Sequence, residues 1–430
     1  MNDREIDSST STGQPTIAAA RWRFIAPKEY QSPSPPTTET VRSTVRDVRS
    51  WFVHAVQRKR DTAPEESAPK LQTAPQGLLD WIAPPPDWGE IGYAALDKAV
   101  ADWHNTEANG AGIRILIGAP YSHVREMAIH WGKCHNYAII KPPTPAQILE
   151  NDSNWMHQWQ QNKAERLILP WLERCYLRHH NGLDLMRRLL DWLWTAKVPA
   201  LLVVDSWAWR YLQQIYPLDT LDQHPLTLAP LQPVDLDHWF YDLAHQTPQR
   251  AFNFRLEHNG AAVLRCAAAQ RNGAERNIDH EANAQKPAEY LRHLAARSRG
   301  IPGAAWALWR YGLQIAAEEA VEESAKQKVV TAQGKTIWVT AWENLELPEV
   351  AEIQQEEAFI LHTLLLHSGM HTELLPTVLP CSSARIVRAL QKLQNQRLIK
   401  EAADGWQVTP LAYVEVRNYL RSEGYLIDEL

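Results

Sequence analysis

The chain has 430 residues, enough for two or three domains. Its content of 45% hydrophobic and 22% charged residues is that of a soluble globular protein, and a net charge of −6 supplies no overall attraction to nucleic acid. Four cysteines, Cys134, Cys175, Cys266 and Cys381, lie far apart with no C-x-x-C, which excludes a disulfide framework and fits a reducing cytoplasm. The opening Met1-Asn-Asp-Arg-Glu has no apolar signal segment. No apolar run reaches the roughly 18 residues that span a bilayer. The expected location is therefore the cytoplasm. Nineteen tryptophans is a high count, and Trp51, Trp88, Trp155 and Trp159 sit in polar surroundings. A Trp-heavy core and Trp-mediated partner contacts both account for them.

Residues 1–76 are rich in Ser, Thr, Pro and charge, which predicts a largely disordered tail. Two islands interrupt it. The first is the basic-aromatic Arg21-Trp-Arg-Phe-Ile-Ala-Pro27. The second spans 41–60, where Val41, Val45, Val48, Phe52 and Val56 recur on one helical face among arginines and lysines. Such a helix suits an anionic membrane surface, a membrane complex or a partner's groove, or it packs on its own domain.

From 85 to 232 strands and helices alternate. Strands are expected at 113–117, 137–140, 167–169, 200–204 and 226–229, and helices around 146–161 and 184–194. Apolar strands without alternation indicate a parallel sheet covered on both faces. Residues 233–325 read as helical, and 326–350 hold a hairpin at 329–339 with its turn at Gly334-Lys335.

Residues 351–430 carry another pattern. Helices are expected at 357–367, 371–378 and 382–395, then a short ribbon at 398–400 and 406–408 turning at Ala403-Asp404-Gly405, then a helix at 410–421. Three helices and a ribbon make a winged helix-turn-helix. Its third helix offers Arg385, Arg388 and Lys392 as candidate nucleic-acid contacts. Residues 355–430 nevertheless hold 7 Lys+Arg against 9 Asp+Glu, so protein–protein or intramolecular use is the expected role and DNA contact the alternative.

The stretch Arg114-Ile-Leu-Ile-Gly-Ala-Pro-Tyr-Ser-His-Val-Arg125 reads as strand, tight loop and helix. Gly118 stands at the first glycine of G-x-x-x-x-G-K-[ST], but His123, Val124 and Arg125 replace the second glycine, the lysine and the hydroxyl residue. Those are the groups that hold the β/γ-phosphates and Mg²⁺. In Arg166-Leu-Ile-Leu-Pro-Trp-Leu-Glu-Arg174, Pro170-Trp171 occupy the place of a metal carboxylate. Glu173 is the one nearby acid, expected to pair with Arg174 or Arg178 and otherwise a candidate to polarise water. Asp205 and Ser206 end the next strand, as a helix cap or as polar ligand groups at the carboxyl edge. Gly300-Ile301-Pro302 opens a later helix. Cys134-His135 and Cys175 with His179-His180 match no standard zinc spacing.

The order of these landmarks over roughly 85–430 resembles STAND and origin-recognition-type AAA+ proteins. The resemblance implies an α/β fold: a parallel P-loop-like sheet flanked by helices, then an α-helical lid and a C-terminal winged helix. In that family a polar residue at the Asp205–Ser206 strand end senses the γ-phosphate, and the G-x-P turn lies against adenine. Gly118, Ser122, His123, Arg125, Asp205, Ser206, Gly300 and Pro302 are thus the candidate nucleotide-binding residues. The lid arginine is also missing: Gly303 follows the proline, with Arg299 nearby. With three phosphate- or metal-handling charges replaced, the expectation is a regulatory pseudo-ATPase or adaptor. ATP or ADP could still bind through helix-start N–H groups, without Mg²⁺. An active atypical ATP switch, with Arg178 or Arg174 reaching a neighbouring protomer, and a winged-helix DNA-binding regulator are the alternatives.

Overall fold

The computed structural model describes residues 21–36, 71–106, 112–160, 166–195, 198–245, 252–265, 287–316 and 335–430. The predicted 41–60 helix and the 329–334 arm of the expected hairpin lie outside them.

Strand β1 is Phe24–Ile25 and β2 is Leu71–Thr73; helices α1 and α2 follow at Gln76–Ile82 and Trp88–Thr106. The next strands, β3 Ile113–Gly118, β4 Ala138–Ile139, β5 Leu167–Leu169, β6 Ala200–Asp205 and β7 Leu226–Leu228, form one sheet in the order β1-β7-β3-β6-β5-β4. All neighbours in it are parallel except β1, which adds antiparallel to β7. The helices between these strands are α3 Val124–Cys134, α4 Pro145–Leu149, α5 Asn154–Gln160, α6 Asp184–Thr195 and α7 Ser206–Gln213. The sheet is thus flanked by helices on both faces, as the continuous apolar strands predict.

Successive strand residues point to opposite faces. Ile115, Ile117, Leu169, Leu202 and Val204 join one core, built with α6, α7 and the C-terminal helices. Leu116, Ile168, Leu201 and Val203 join the other, with α2, α3 and the layer that follows β7. One pleated sheet therefore fastens both later parts of the chain.

That following layer departs from the all-helical expectation for 233–325. It contains α8 Pro233–Ala244, β8 Phe252–Leu256, α9 Glu289–Ser298, α10 Pro302–Tyr311 and β9 Leu313–Ala316. Strand β10, Lys335–Val339, pairs parallel with β8 and antiparallel with β9, and β2 closes the sheet against β9. The first arm of the hairpin expected around Gly334-Lys335 lies outside the described residues, and the described pairing joins β10 to β8 and β9.

Two further expectations change. The tail is ordered at 21–36 and from 71: Trp22 is buried against Trp239, and β1 and β2 are sheet strands. The single helix expected at 146–161 breaks at Asn151, which has a left-handed φ of 53°, and Asp152 then caps α5 through the Asn154 N–H at 2.9 Å.

The C-terminal part comprises α11 Gln355–Leu366, α12 Leu375–Val378, α13 Ser383–Asn395, the antiparallel ribbon β11 Ile399–Ala402 and β12 Gly405–Val408, and α14 Tyr413–Ser422. Met370 bridges to Trp406 as a third short rung. Among the described residues, no helix is long and apolar enough to cross a membrane.

Candidate functional site

Parallel strands β3 and β6 are neighbours, with Gly118 opposite Asp205 at their carboxyl ends. Helix α3 after β3 buries Val124, Met127 and Trp131 in one core, whereas α7 after β6 buries Trp207 and Leu212 in the other. Adjacent strands that send their helices to opposite faces leave a crevice at their ends. A cavity of about 420 Å³ lies there, lined by the 118–126 loop, Asp205, Ser368 and the ribbon residues Lys400, Asp404 and Gln407.

The loop is held closed by its own bonds. The Ser122 N–H bonds the Ala119 carbonyl at 2.9 Å, and Tyr121 and His123 both adopt left-handed backbone. A Cβ at Gly118 would sit 3.0 Å from the Ser122 Oγ. The Tyr121 hydroxyl donates to the Val408 carbonyl of β12, and burial, then the nearby Asp205, raises the phenol above its ordinary range. His123 lies flat on Trp88, with ring centres 4.0 Å apart and 5° between planes. From α10, Gly303 donates to the Tyr121 carbonyl at 2.9 Å, and any Cβ there would fall 2.6 Å from both His123 Nε2 and Tyr121 O.

Arg125 also lines the cavity. Its guanidinium pairs with Glu173, donates to the Pro170 carbonyl at 3.0 Å and reaches Ser368 Oγ at 3.5 Å. Glu173 is fully buried in the turn after β5, and its second oxygen accepts the Asp205 N–H at 3.3 Å. The acid therefore pairs with Arg125 and not with Arg174 or Arg178. Arg174 bonds Asp404 of the ribbon turn at 3.0 Å, and Arg178 faces His362 Nδ1 at 3.4 Å.

Asp205 caps α7, accepting the Trp207 N–H at 2.9 Å. Burial, and then the neighbouring Glu173, pushes its carboxyl well above the usual carboxylate range. Ser206 points to the C-terminal part and donates to Asp428 at 2.7 Å. Asp428 also receives the Tyr413 hydroxyl at 3.2 Å and Arg417 Nε at 2.6 Å, in a buried cluster that joins α7 to α14.

Gly300, φ 72°, packs on Pro230 and Leu231 at the end of β7, and its carbonyl accepts the Leu231 N–H at 2.9 Å. Pro302 begins α10. Arg299 carries its guanidinium to the Leu430 carbonyl, and its own carbonyl accepts the Tyr30 hydroxyl at 3.0 Å. Gly118, Ser122, His123, Arg125 and Asp205 thus share one cavity; Ser206, Gly300 and Pro302 do not line it, although Gly303, next to Pro302, bonds the loop at Tyr121.

The third-helix cations lie elsewhere. Arg385 pairs with Glu356 at 2.6 Å, and Lys392 pairs with Glu357 at 3.0 Å and bonds the Glu352 carbonyl; Arg388 is exposed. Cys134 is exposed beside His130, while Cys175 is buried with its thiol on the Trp171 carbonyl at 3.4 Å. Among the described residues, no group of His, Cys, Asp and Glu is placed to hold a metal ion. The sequence alone did not point to Tyr121, Tyr413, Arg417 and Asp428, and it marked Trp88 only as a tryptophan in polar surroundings. Tyr121 carried a signal of its own, as a bulky ring inside a loop whose template is glycine-rich.

No family model matches the sequence, and no curated protein matches it. Among solved structures the chain is similar to one in "Structure of Drosophila ORC bound to DNA", with 13% identity over 89% of this chain and 100% of that chain. The TM-score is 0.31, a likeness that carries no weight for function.

Proposed function

We propose that the chain is a regulatory pseudo-ATPase or adaptor of the STAND/AAA+ type, with a P-loop-like domain, a lid spanning α8 to α10 and a C-terminal winged helix, acting through protein–protein contacts with weak or no nucleotide hydrolysis. The observation that carries this reading is the Arg125–Glu173 pair. A working loop places a hydroxyl at the Arg125 position to hold Mg²⁺ and leaves the strand-end acid free to act on water. Here a guanidinium takes that position and binds the acid, so metal and water would have to displace an internal salt bridge. The stacking of Trp88 on His123, with Gly303 pressed on the same loop, further fixes the loop.

Use of the winged helix for protein rather than DNA is supported by Arg385 and Lys392, whose charges are balanced by Glu356 and Glu357. Isothermal titration of ATP and ADP, with and without Mg²⁺, tests the reading alongside phosphate release. The expected result is no turnover and no gain in affinity from Mg²⁺. Turnover that Glu173→Gln abolishes would overturn it.

A further inference from the structure

The crevice at the ends of β3 and β6 holds polar groups that no internal bond uses. Ser122 lines it and is only 6% exposed, yet among the described residues its hydroxyl has no hydrogen-bond partner. No side chain caps α3, a helix of 11 residues, so the Val124 and Arg125 N–H groups at its start have no acceptor. They present the positive end of the helix dipole at the crevice. The ribbon forms the facing wall. Lys400 and Gln407 are directly opposed on β11 and β12, so their side chains share one face, and that face, with Ala402, lines the crevice. Among the described residues neither side chain has a partner.

The other charged groups at the wall are engaged. Arg125 is paired with Glu173, Asp404 with Arg174, and Glu126 lies on His123 Nδ1 at 3.4 Å. Asp205 caps α7, and burial, then Glu173, favours its protonated form, which donates. Lys400 is therefore the one lining cation without an acid partner. The unused groups are donors, or serve as donors, so they call for an acceptor carrying negative charge. A phosphate chain would bring several negative charges up to Glu126, Glu173 and Asp404 with one lysine to meet them. A single carboxylate brings one, and Leu364 and Leu365 offer an apolar wall to the rest of such a molecule.

We propose that the crevice binds a small organic monocarboxylate, its carboxylate held between Lys400, Ser122 and the start of α3 and its body on the Leu364–Leu365 wall. The inference rests on the reading of this crevice as one that does not turn over nucleotide, and it names the ligand that takes the place instead. Because Lys400 belongs to the C-terminal part and Ser122 to the α/β part, the ligand bridges the two.

3-Phenylpropionate, its neutral amide and inorganic phosphate are the probes, titrated calorimetrically against the full chain at about pH 7.5, with ATP hydrolysis followed on the same protein. 3-Phenylpropionate is expected to bind saturably, with the amide and phosphate weaker by about tenfold or more. Lys400→Met should lower its affinity about tenfold, Ser122→Ala about threefold and Lys400→Arg about twofold. Lys400 is exposed, so its variants keep the fold. No saturable binding, equal binding of the amide, tighter binding of phosphate or unchanged binding in Lys400→Met would each overturn the proposal, and with ATP still not turned over the pseudo-ATPase reading would stand. Turnover of ATP would overturn both together.

Discussion

The guanidinium of Arg125, on the first turn of α3, is bonded to the buried carboxylate of Glu173, in the turn after β5. Two strand-end segments of the sheet are thereby tied together at the place where a ligand crevice opens. Removing only the cation leaves a buried carboxylate without its partner. Arg125→Met should cost about 3 kcal/mol, the low end for a broken buried pair because part of the Arg125 side chain stays exposed. Urea denaturation should show that loss, and Arg125→Met combined with Glu173→Gln should recover most of it. A single variant as stable as the parent would rule out a structural role for the pair.

Close packing of α10 on the loop makes a steric prediction. Gly303→Ala puts a methyl 2.6 Å from His123 Nε2 and the Tyr121 carbonyl and should cost about 1–3 kcal/mol. Gly300→Ala adds a left-handed φ to a clash with the Leu231 backbone at 2.8 Å and should cost at least as much. Gly77, in α1 with nothing within 4 Å of its would-be Cβ, serves as the control. Its alanine variant should gain about 0.5–1 kcal/mol. Chemical denaturation of the three variants checks the order.

Acid sensitivity follows from two buried histidines. Burial holds His362 and His367 down to about 4, from an ordinary 6.5. His362 bonds the Leu426 carbonyl through Nε2 at 2.9 Å, with the Arg178 guanidinium at its Nδ1. Above pH 6.5 both rings are neutral folded or unfolded, so neither affects stability. Below 6.5 the unfolded chain takes up protons that the folded chain refuses, so stability falls between pH 6.5 and 4, by up to roughly 3 kcal/mol per ring. Melting temperature across that window should drop in the parent and drop less in His362→Phe. A parallel decline in both would show that other groups control it.

The Asp428 cluster predicts a further loss. Asp428→Asn removes the charge facing Arg417, and both side chains are at most 5% exposed. The cost should be about 3 kcal/mol, with Ser206→Ala costing about 1 kcal/mol because it leaves the ion pair intact. Denaturation followed at the C-terminal tryptophan, Trp406, reads both.

What the sequence revealed and what it hid divide along the range of the interactions. Ile113–Gly118, Leu167–Leu169 and Ala200–Asp205 were visible because strands buried on both faces must be continuously apolar. The four C-terminal helices and the ribbon were visible from local periodicity and the Ala403–Gly405 turn. Phe252–Leu256 and Leu313–Ala316 were not, because short strands that pair across long intervals leave no local mark; Lys335–Val339 was visible as a strand, but its partners were not. The site divides the same way. Gly118, Ser122, His123 and Arg125 were found as neighbours in one motif and Asp205 as the polar end of another strand, and they do share a cavity. That Arg125 takes Glu173 as its partner depends on how β3 and β5 flank β6, which spacing along the chain cannot convey.

Strand β10 also sets a hazard during synthesis. It depends on segments 252–256 and 313–316 for its two edges, and β9 depends in turn on Leu71–Thr73. Pairings closed over such intervals form late, after helices and neighbouring strands have collapsed. Until they close, Leu313, Ile315, Ile337 and Val339, all buried in the finished sheet, stand along open strand edges that another copy of the chain can pair with. Yield on refolding should therefore fall steeply with protein concentration, with aggregates nucleated from this sheet and not from the parallel one.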